Sequence, residues 1–343
     1  MAIFTKKKKA VAIEYYTTLF QDHLNQVIQS REPRNLYDPV NYIMTLGGKR
    51  IRPSLALMSC HLFGSDPRRA LDAAMAVEMF HNFTLIHDDI MDRAELRRGK
   101  MTVHKKWDLN SGILSGDVLM ILSYRQLENY EPELYQSLMR IFNKTAIEVC
   151  EGQQMDMDFE ERTQVEAEEY FRMIKYKTAV LLGCALAMGA MVSGAAESDQ
   201  EAIYDFGVTL GLAFQLQDDY LDSFGGSDFG KRIGGDILER KKTFLYIRTL
   251  ELAGEDDRKA LLGHYAGSVD REQENTGEGS SENEEKISEV NRIFQKYGAD
   301  TILLNEIEKL TETALQIIER LSVDESGKNL LRDFSHLLMK RKV

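Results

Sequence analysis

The sequence predicts an all-α protein, and three observations carry that expectation. The last of its five prolines is Pro132, so residues 133 to 343 can run as long helices with no backbone donor removed. Apolar residues recur at helical spacing: Leu57 and Leu62; Met75, Met79, Phe83 and Ile86; Leu119 and Leu122; and Leu303, Ile307, Leu310 and Leu315. Alternating apolar and polar residues bounded by turn signals, the mark of half-buried strands, are absent.

The elements follow in order. "MAIFTKKKKA" (1–10) carries four lysines with no apolar run behind them, so it reads as a basic N-terminal tail and not a secretory signal. Turn-like breaks are expected near 31–39, 64–67, 93–100, 110–116, 158–165, 193–200 and 223–235. "TAVLLGCALAMGAMVSGAA" (178–196) is apolar but rich in small residues, which suits a helix packed closely inside a bundle better than a membrane span. "AGSVDREQENTGEGSSENEEKIS" (266–288) is Gly/Ser/Glu-rich and reads as an exposed, mobile, acidic inserted loop. With no repeat and no second core in the pattern, residues 1–343 are expected to form one domain.

A net charge of -12 argues against sequence-independent binding of nucleic acid. Cys60, Cys150 and Cys184 lack CxxC spacing and His neighbours, so they read as reduced core thiols of a cytoplasmic protein. No run of eighteen apolar residues suggests a transmembrane segment.

The chemistry concentrates in two acidic rungs. "LIHDDIMD" (85–92) places Asp88, Asp89 and Asp92 in a stretch that otherwise asks for burial, and "FQLQDDYLD" (214–222) repeats the arrangement with Asp218, Asp219 and Asp222. Residues four apart on a helix lie about 40° apart around its axis, so the outer carboxylates of each rung share a face. Two such carboxylates repel unless a cation sits between them. Hard oxygen donors without Cys or ExxH point to Mg²⁺ more than to zinc or iron. Basic segments accompany the rungs: "GGKRIRP" (47–53), "RAELRRGK" (93–100), "YKT" (176–178) and "GKRIGGDILERKKT" (230–243). Carboxylate, cation and basic side chain together suit a polyphosphate ligand. GxxxxGK[ST] is absent, so a P-loop nucleotide site is not supported.

These segments, in this order and with "EGQQMDM" (151–157), resemble the trans-isoprenyl diphosphate synthases (polyprenyl synthetases) over nearly the whole chain. The resemblance implies a helical bundle around a central active-site cavity and a homodimer. It also implies condensation of isopentenyl diphosphate with an allylic diphosphate (dimethylallyl, geranyl or farnesyl), with three Mg²⁺ ions holding the diphosphate. Carried over residue by residue, Asp88, Asp92, Asp218 and Asp222 are metal ligands, Asp89 and Asp222 acting in part through hydrogen bonds or metal-bound water. Arg97, Lys177 and Lys241 hold the allylic diphosphate, with Lys231 close by. Lys49, Arg52, His81 and Arg98 bind isopentenyl diphosphate, and the oxygens of Thr178 and Gln215 face the developing carbocation. The last motif departs from the family's Gly-Lys before Thr: Arg240, Lys241, Lys242 and Thr243 stand there, so Lys242 competes with Lys241 for the role. Lys340, Arg341 and Lys342 match a closing basic tail only loosely.

Product length in the resembling family is set beneath the first rung. Phe83, five residues before Asp88 and about 7.5 Å along the axis, is the expected floor, with Phe80 one turn below it. The pattern is most similar to geranylgeranyl (C20) synthases, with farnesyl (C15) the next reading and a longer product disfavoured. A terpene cyclase would lack the second Asp-rich rung and GGKRIRP, and a non-catalytic partner subunit would have one rung eroded. Neither loss occurs here.

Overall fold

The structure, a computed structural model, describes residues 2–225, 233–266 and 280–340. Apart from one two-stranded hairpin, the regular elements among the described residues are helices, as expected. The chain divides into two compact units: residues 1–144, 181–204 and 320–330 form the first, and residues 145–180, 205–319 and 331–343 the second.

The first unit begins with α1 (Ala2–Val27), α2 (Arg34–Thr45), α3 (Ile51–Leu62) and a 3₁₀ turn (Pro67–Ala70), followed by α4 (Leu71–Met91). The hairpin β1 (Leu96–Arg97) and β2 (Lys100–Met101) leads to α5 (Val103–Lys106) and α6 (Leu109–Leu127), then to the start of α7 (Pro132–Glu161). Prolines open elements where a missing N–H costs nothing: Pro33 caps α2, Pro67 starts the 3₁₀ turn and Pro132 starts α7. The lysine-rich residues 2–10 lie within α1.

One expected break is overturned. Residues 110–116, "NSGILSG", are not a turn but the first half of α6, capped by Asp108, whose carboxylate accepts from Ser111 N at 2.8 Å. Its glycines serve packing. A Cβ at Gly116 would stand 2.3 Å from His87 Nε2, and one at Gly112 would stand 3.0 Å from Ile90 Cδ1. They let α6 lie against the end of α4 that carries the first acidic rung.

The second unit contains the rest of α7, α8 (Ala167–Ile174), a single π-helical turn (Lys175–Ala179), most of α10 (Glu197–Phe224), α11 (Gly235–Leu238), α12 (Phe244–Leu252) and α13 (Glu255–His264). It continues with α14 (Ser280–Lys296), α15 (Ala299–Ile318) and much of α16 (Glu325–Met339). Its core gathers Tyr170, Phe244, Tyr246, Val290, Phe294 and Leu303. The expected loop 266–288 is corrected at its far end: residues 280–288 are already α14, whose Ile287, Val290 and Phe294 recur at helical spacing and turn inward. Residues 267–279 lie outside the described residues.

The small-residue stretch 178–196 is helical, as expected: α9 (Val180–Ser193) approaches α3 so closely that a Cβ at Gly189 would stand 2.1 Å from the Ala56 carbonyl oxygen. By composition the run Ala167–Ser193 is long and apolar enough to cross a membrane, yet 72% of its apolar window is buried inside the protein. A core helix satisfies the same composition. Of the three cysteines expected in the core, Cys60 and Cys184 are buried, but Cys150 on α7 is exposed.

Candidate active site

The first acidic rung closes α4. Asp88 and Asp89 lie in its last turn and Asp92 is its C-cap. Carboxylates at this end oppose the helix dipole instead of complementing it, so the arrangement needs another cause. Asp89 is 1% exposed and holds Arg97 in a two-pronged pair, Nε to Oδ1 at 2.8 Å and to Oδ2 at 2.9 Å. Burial raises the Asp89 pKa, while the Arg97 guanidinium pulls it back. Asp89 therefore fixes the hairpin, and Asp88 and Asp92 are left to share the outer face.

Four of the expected binding residues converge on a cationic group in the same unit. Gly47 and Gly48, at φ 91° and 121°, bend the chain ahead of α3. Arg98 Nη1 donates to the Gly47 carbonyl, joining "GGKRIRP" to "RRGK". Arg52 Nη1 lies 3.1 Å from His81 Nε2. Lys49 is exposed in the loop between α2 and α3. Burial, and then the Arg52, Arg98, Arg97 and Arg50 charges, push the His81 pKa well below the ordinary value, so the ring is neutral and Nε2 accepts from Arg52. Burial lowers the Arg52 pKa to about 10. A cluster of guanidiniums around a neutral imidazole is an anion site.

Sequence reasoning missed what compensates it. Arg50, at φ 48°, pairs with Glu78, both side chains 3% exposed, and Glu78 also draws Asn82 Nδ2 to 3.3 Å. The available signal was a lone acid inside the apolar run "AMAVEMF".

The depressed His81 pKa has a measurable consequence. Above pH 6.5 the ring is neutral folded or unfolded. Below it the unfolded chain takes up a proton that the folded chain refuses, so stability falls with pH by at most about 1.4 kcal/mol per unit. His81→Gln is expected to shrink the difference in urea midpoint between pH 7.5 and pH 5.5. An unchanged difference would place that proton elsewhere.

The second rung lies on α10 in the second unit, beside a cavity of about 140 Å³ lined by Asp156, Tyr170, Lys177, Thr178, Gln215, Asp219, Asp236 and Lys241, with Phe159, Met173 and Ile174 as apolar wall. Gln215 Nε2 donates to Asp219 Oδ1 at 3.0 Å and Thr178 Oγ1 to Gln215 Oε1 at 3.3 Å. Tyr170 donates its hydroxyl to Asp219 Oδ2. Asp222 Oδ2 accepts from Asp236 N at 2.9 Å. Burial, and then the Asp236 charge, raise Asp222 to about 7 and Asp219 well above the usual carboxylate range. Lys177 Nζ meets Asp156 at 2.5 Å. Lys241 Nζ sits 2.7 Å from Glu239 and 3.4 Å from Asp236; burial opposes its charge, but those two carboxylates outweigh it and hold the pKa well above normal.

Of the two competing lysines, Lys242 also lines this cavity but has different partners. It is buried, donates to the Arg240 carbonyl at 3.1 Å and lies over the Tyr246 and Tyr265 rings. Arg240, where the resembling family has glycine, adopts φ 58°. Lys231, Arg341 and Lys342 fall outside the described residues. Asp156, Tyr170 and Asp236 were not assigned from sequence, because each gains its meaning from a partner distant along the chain.

The donor set fits Mg²⁺. It is all carboxylate, and the Asp236 charge, which adds to burial in raising Asp219 and Asp222, is repulsion of the kind a divalent cation relieves. Among the described residues no three acidic or His/Cys groups close a cage by themselves, and Mg²⁺ ordinarily keeps water and phosphate ligands.

The Phe83 ring is 8% exposed and lies 5.5 Å, centroid to centroid, from Phe80, which lies 5.4 Å from Phe142, itself 5.1 Å from Tyr124. The aromatic stack runs down from the first rung within the first unit.

Comparison with known proteins places the chain. Residues 33–278 match the polyprenyl synthetase family. The chain belongs to that family. A short chain isoprenyl diphosphate synthase of Methanothermobacter thermautotrophicus is 36% identical over 317 residues, 91% of this chain and 93% of that one. A geranylgeranyl diphosphate synthase of Sulfolobus acidocaldarius is 36% identical over 90% of this chain and 93% of its own. A crystal structure of a geranylgeranyl pyrophosphate synthase is 50% identical and superposes with a TM-score of 0.90, covering 96% of this chain and 99% of the other. As a polyprenyl synthetase, the protein is a prenyltransferase whose two acid-rich rungs each stand beside basic side chains.

Proposed function

We propose that the protein is a Mg²⁺-dependent geranylgeranyl diphosphate synthase, joining isopentenyl diphosphate head-to-tail to allylic diphosphates to give the all-trans C20 product. The observation that carries this reading is the second-unit cavity, where Lys177 and Lys241 stand among crowded carboxylates beside the Thr178 and Gln215 oxygens. Family membership and relatives named geranylgeranyl diphosphate synthase support the same reaction and product.

Each group then has a task. Ionising an allylic C–O bond loads charge on the departing diphosphate, which Lys177 and Lys241 would neutralise; the same role for Arg97 rests on the family resemblance. Asp88 and Asp92 on one rung and Asp218 and Asp222 on the other are the residues that would hold Mg²⁺, which would supply electrophilic stabilisation of the leaving group. Thr178 and Gln215 turn oxygens toward the allylic cation, while Phe159, Met173 and Ile174 keep out the water that would quench it. Arg52, Arg98, Lys49 and neutral His81 hold the isopentenyl diphosphate, whose double bond attacks the cation. The proton lost at the end passes to the diphosphate released. A cytoplasmic homodimer completes the reading. The aromatic side chains at Phe83 and Phe80 below the first rung favour a short product, with C15 as the second reading.

The test is incubation with Mg²⁺, isopentenyl diphosphate and each of dimethylallyl, geranyl and farnesyl diphosphate, followed by product chromatography. A C20 product from all three primers is expected. A C15 end point from the first two would move the assignment to farnesyl synthase, and no incorporation would overturn the reading.

A further inference from the structure

The turn that carries Lys177 and Thr178 is not α-helical. Between α8 and α9 the chain makes one π turn, Lys175–Ala179, closed by Val180 N–H donating to the Lys175 carbonyl five residues back. Isolated π turns are unfavourable inserts that persist where the surroundings hold them. Here two other helices do so through glycines. On α7, a Cβ at Gly152 would stand 2.3 Å from Lys177 N, 2.7 Å from Tyr176 C and 2.8 Å from Lys177 Cα. On α10, a Cβ at Gly211 would stand 2.9 Å from both Cα and Cβ of Ala179. These neighbours are backbone and Cβ atoms, so no rotamer change relieves the overlap.

The same two helices also grip the turn's side chains. Four residues after Gly152, Asp156 pairs with Lys177 Nζ at 2.5 Å. Four residues after Gly211, Gln215 accepts from Thr178 at 3.3 Å. Residues four apart share a helix face. Each helix thus presents one bare turn that lets the backbones touch and one polar partner that aims a side chain.

We propose that Gly152 and Gly211 are positioning residues: they clamp the π turn between α7 and α10 and so set where Lys177 and Thr178 stand. The inference rests on the prenyltransferase reading of that cavity. A Cβ at Gly152 must recede by roughly 1 Å to reach ordinary contact, and a misplacement of that size in a reacting constellation costs on the order of a hundredfold in rate.

The experiment is steady-state kinetics with geranyl and isopentenyl diphosphates on the full chain. Gly152→Ala and Gly211→Ala are expected to lower kcat about a hundredfold while KM for isopentenyl diphosphate stays within threefold, since its binding groups lie elsewhere. Gly263→Ala on α13, where a Cβ meets nothing within 4 Å, serves as control and keeps wild-type kinetics. Adding Ala179→Gly to Gly211→Ala removes one of the two overlaps and is expected to restore kcat about tenfold with KM for isopentenyl diphosphate still unchanged. Should the glycine variants not fold, Ala179→Gly alone loosens the clamp, and a kcat about fivefold down supports it while an unchanged kcat overturns it. Glycine variants within threefold of wild type, or a KM for isopentenyl diphosphate rising as kcat falls, overturn the inference alone. A wild-type protein without condensation activity overturns the functional reading and the inference with it.

Discussion

Asp88→Ala is expected to lower condensation about a thousandfold and to leave the helical fold standing. Asp88 lies in the last turn of α4, beside the C-cap Asp92 and next to Asp89, whose buried carboxylate is committed to Arg97. A carboxylate at this end faces the negative pole of the helix dipole, so its removal relieves up to roughly 0.5 kcal/mol of repulsion. The loss falls on the reaction. Removing one group that stabilises developing charge costs on the order of 10²–10³ in rate, and a cation site short of one hard ligand loses further. The measurement is kcat with saturating Mg²⁺, alongside the far-ultraviolet circular dichroism spectrum and melting temperature. Turnover within tenfold of wild type would remove Asp88 from the metal–diphosphate assignment. Asp89→Ala separates the two roles within the rung: it frees Arg97 and loosens the hairpin, so its melting temperature falls where that of Asp88→Ala does not.

The second large effect is on product length. Phe83→Ala opens the top of the aromatic stack below the first rung, and the principal product is expected to lengthen beyond C20. Phe80, 1% exposed and braced against Phe142, remains as the next layer, so the extension is limited until Phe80→Ala is added. Truncating a buried Phe costs about 3 kcal/mol or somewhat more, so the variant melts lower while remaining folded. Chromatography of the dephosphorylated products reads the outcome. An unchanged chain length would put the floor on another helix.

Much of the site was legible because its chemistry is written in local spacing. Two carboxylates at i and i+4 share a helix face in any tertiary context, and Arg or Lys beside glycine tells of a flexible anion-binding loop. Asp88, Asp92 and Asp218 to Asp222 could thus be singled out from the chain, whereas the roles expected of Arg52, Arg98, Lys177 and Lys241 came from the family resemblance. Illegible were the residues whose role is to meet a distant partner. Glu78 answers Arg50 across 28 residues, Asp156 answers Lys177 across 21, and Tyr170 answers Asp219 across 49. Nothing in the immediate neighbourhood of any of the three announces the partner. The misread turn at 110–116 has the same cause. Its Gly and Ser favour a loop by local propensity, but Gly112 and Gly116 are there so that α4 can lie against them, and packing overrides propensity.

The sequence by itself determined the helical class, the family and the two acidic rungs, because periodicity and short spacings survive without knowledge of what packs on what. Only the tertiary structure decided that Asp89 is an anchor for Arg97, that Lys241 pairs with Asp236 and Glu239 while Lys242 donates to the Arg240 carbonyl, and that the Lys177 turn is π-helical between two glycines. Those are outcomes of competition among burial, charge and backbone contact, and such competition is resolved only when residues far apart in the chain are brought to within a few ångströms.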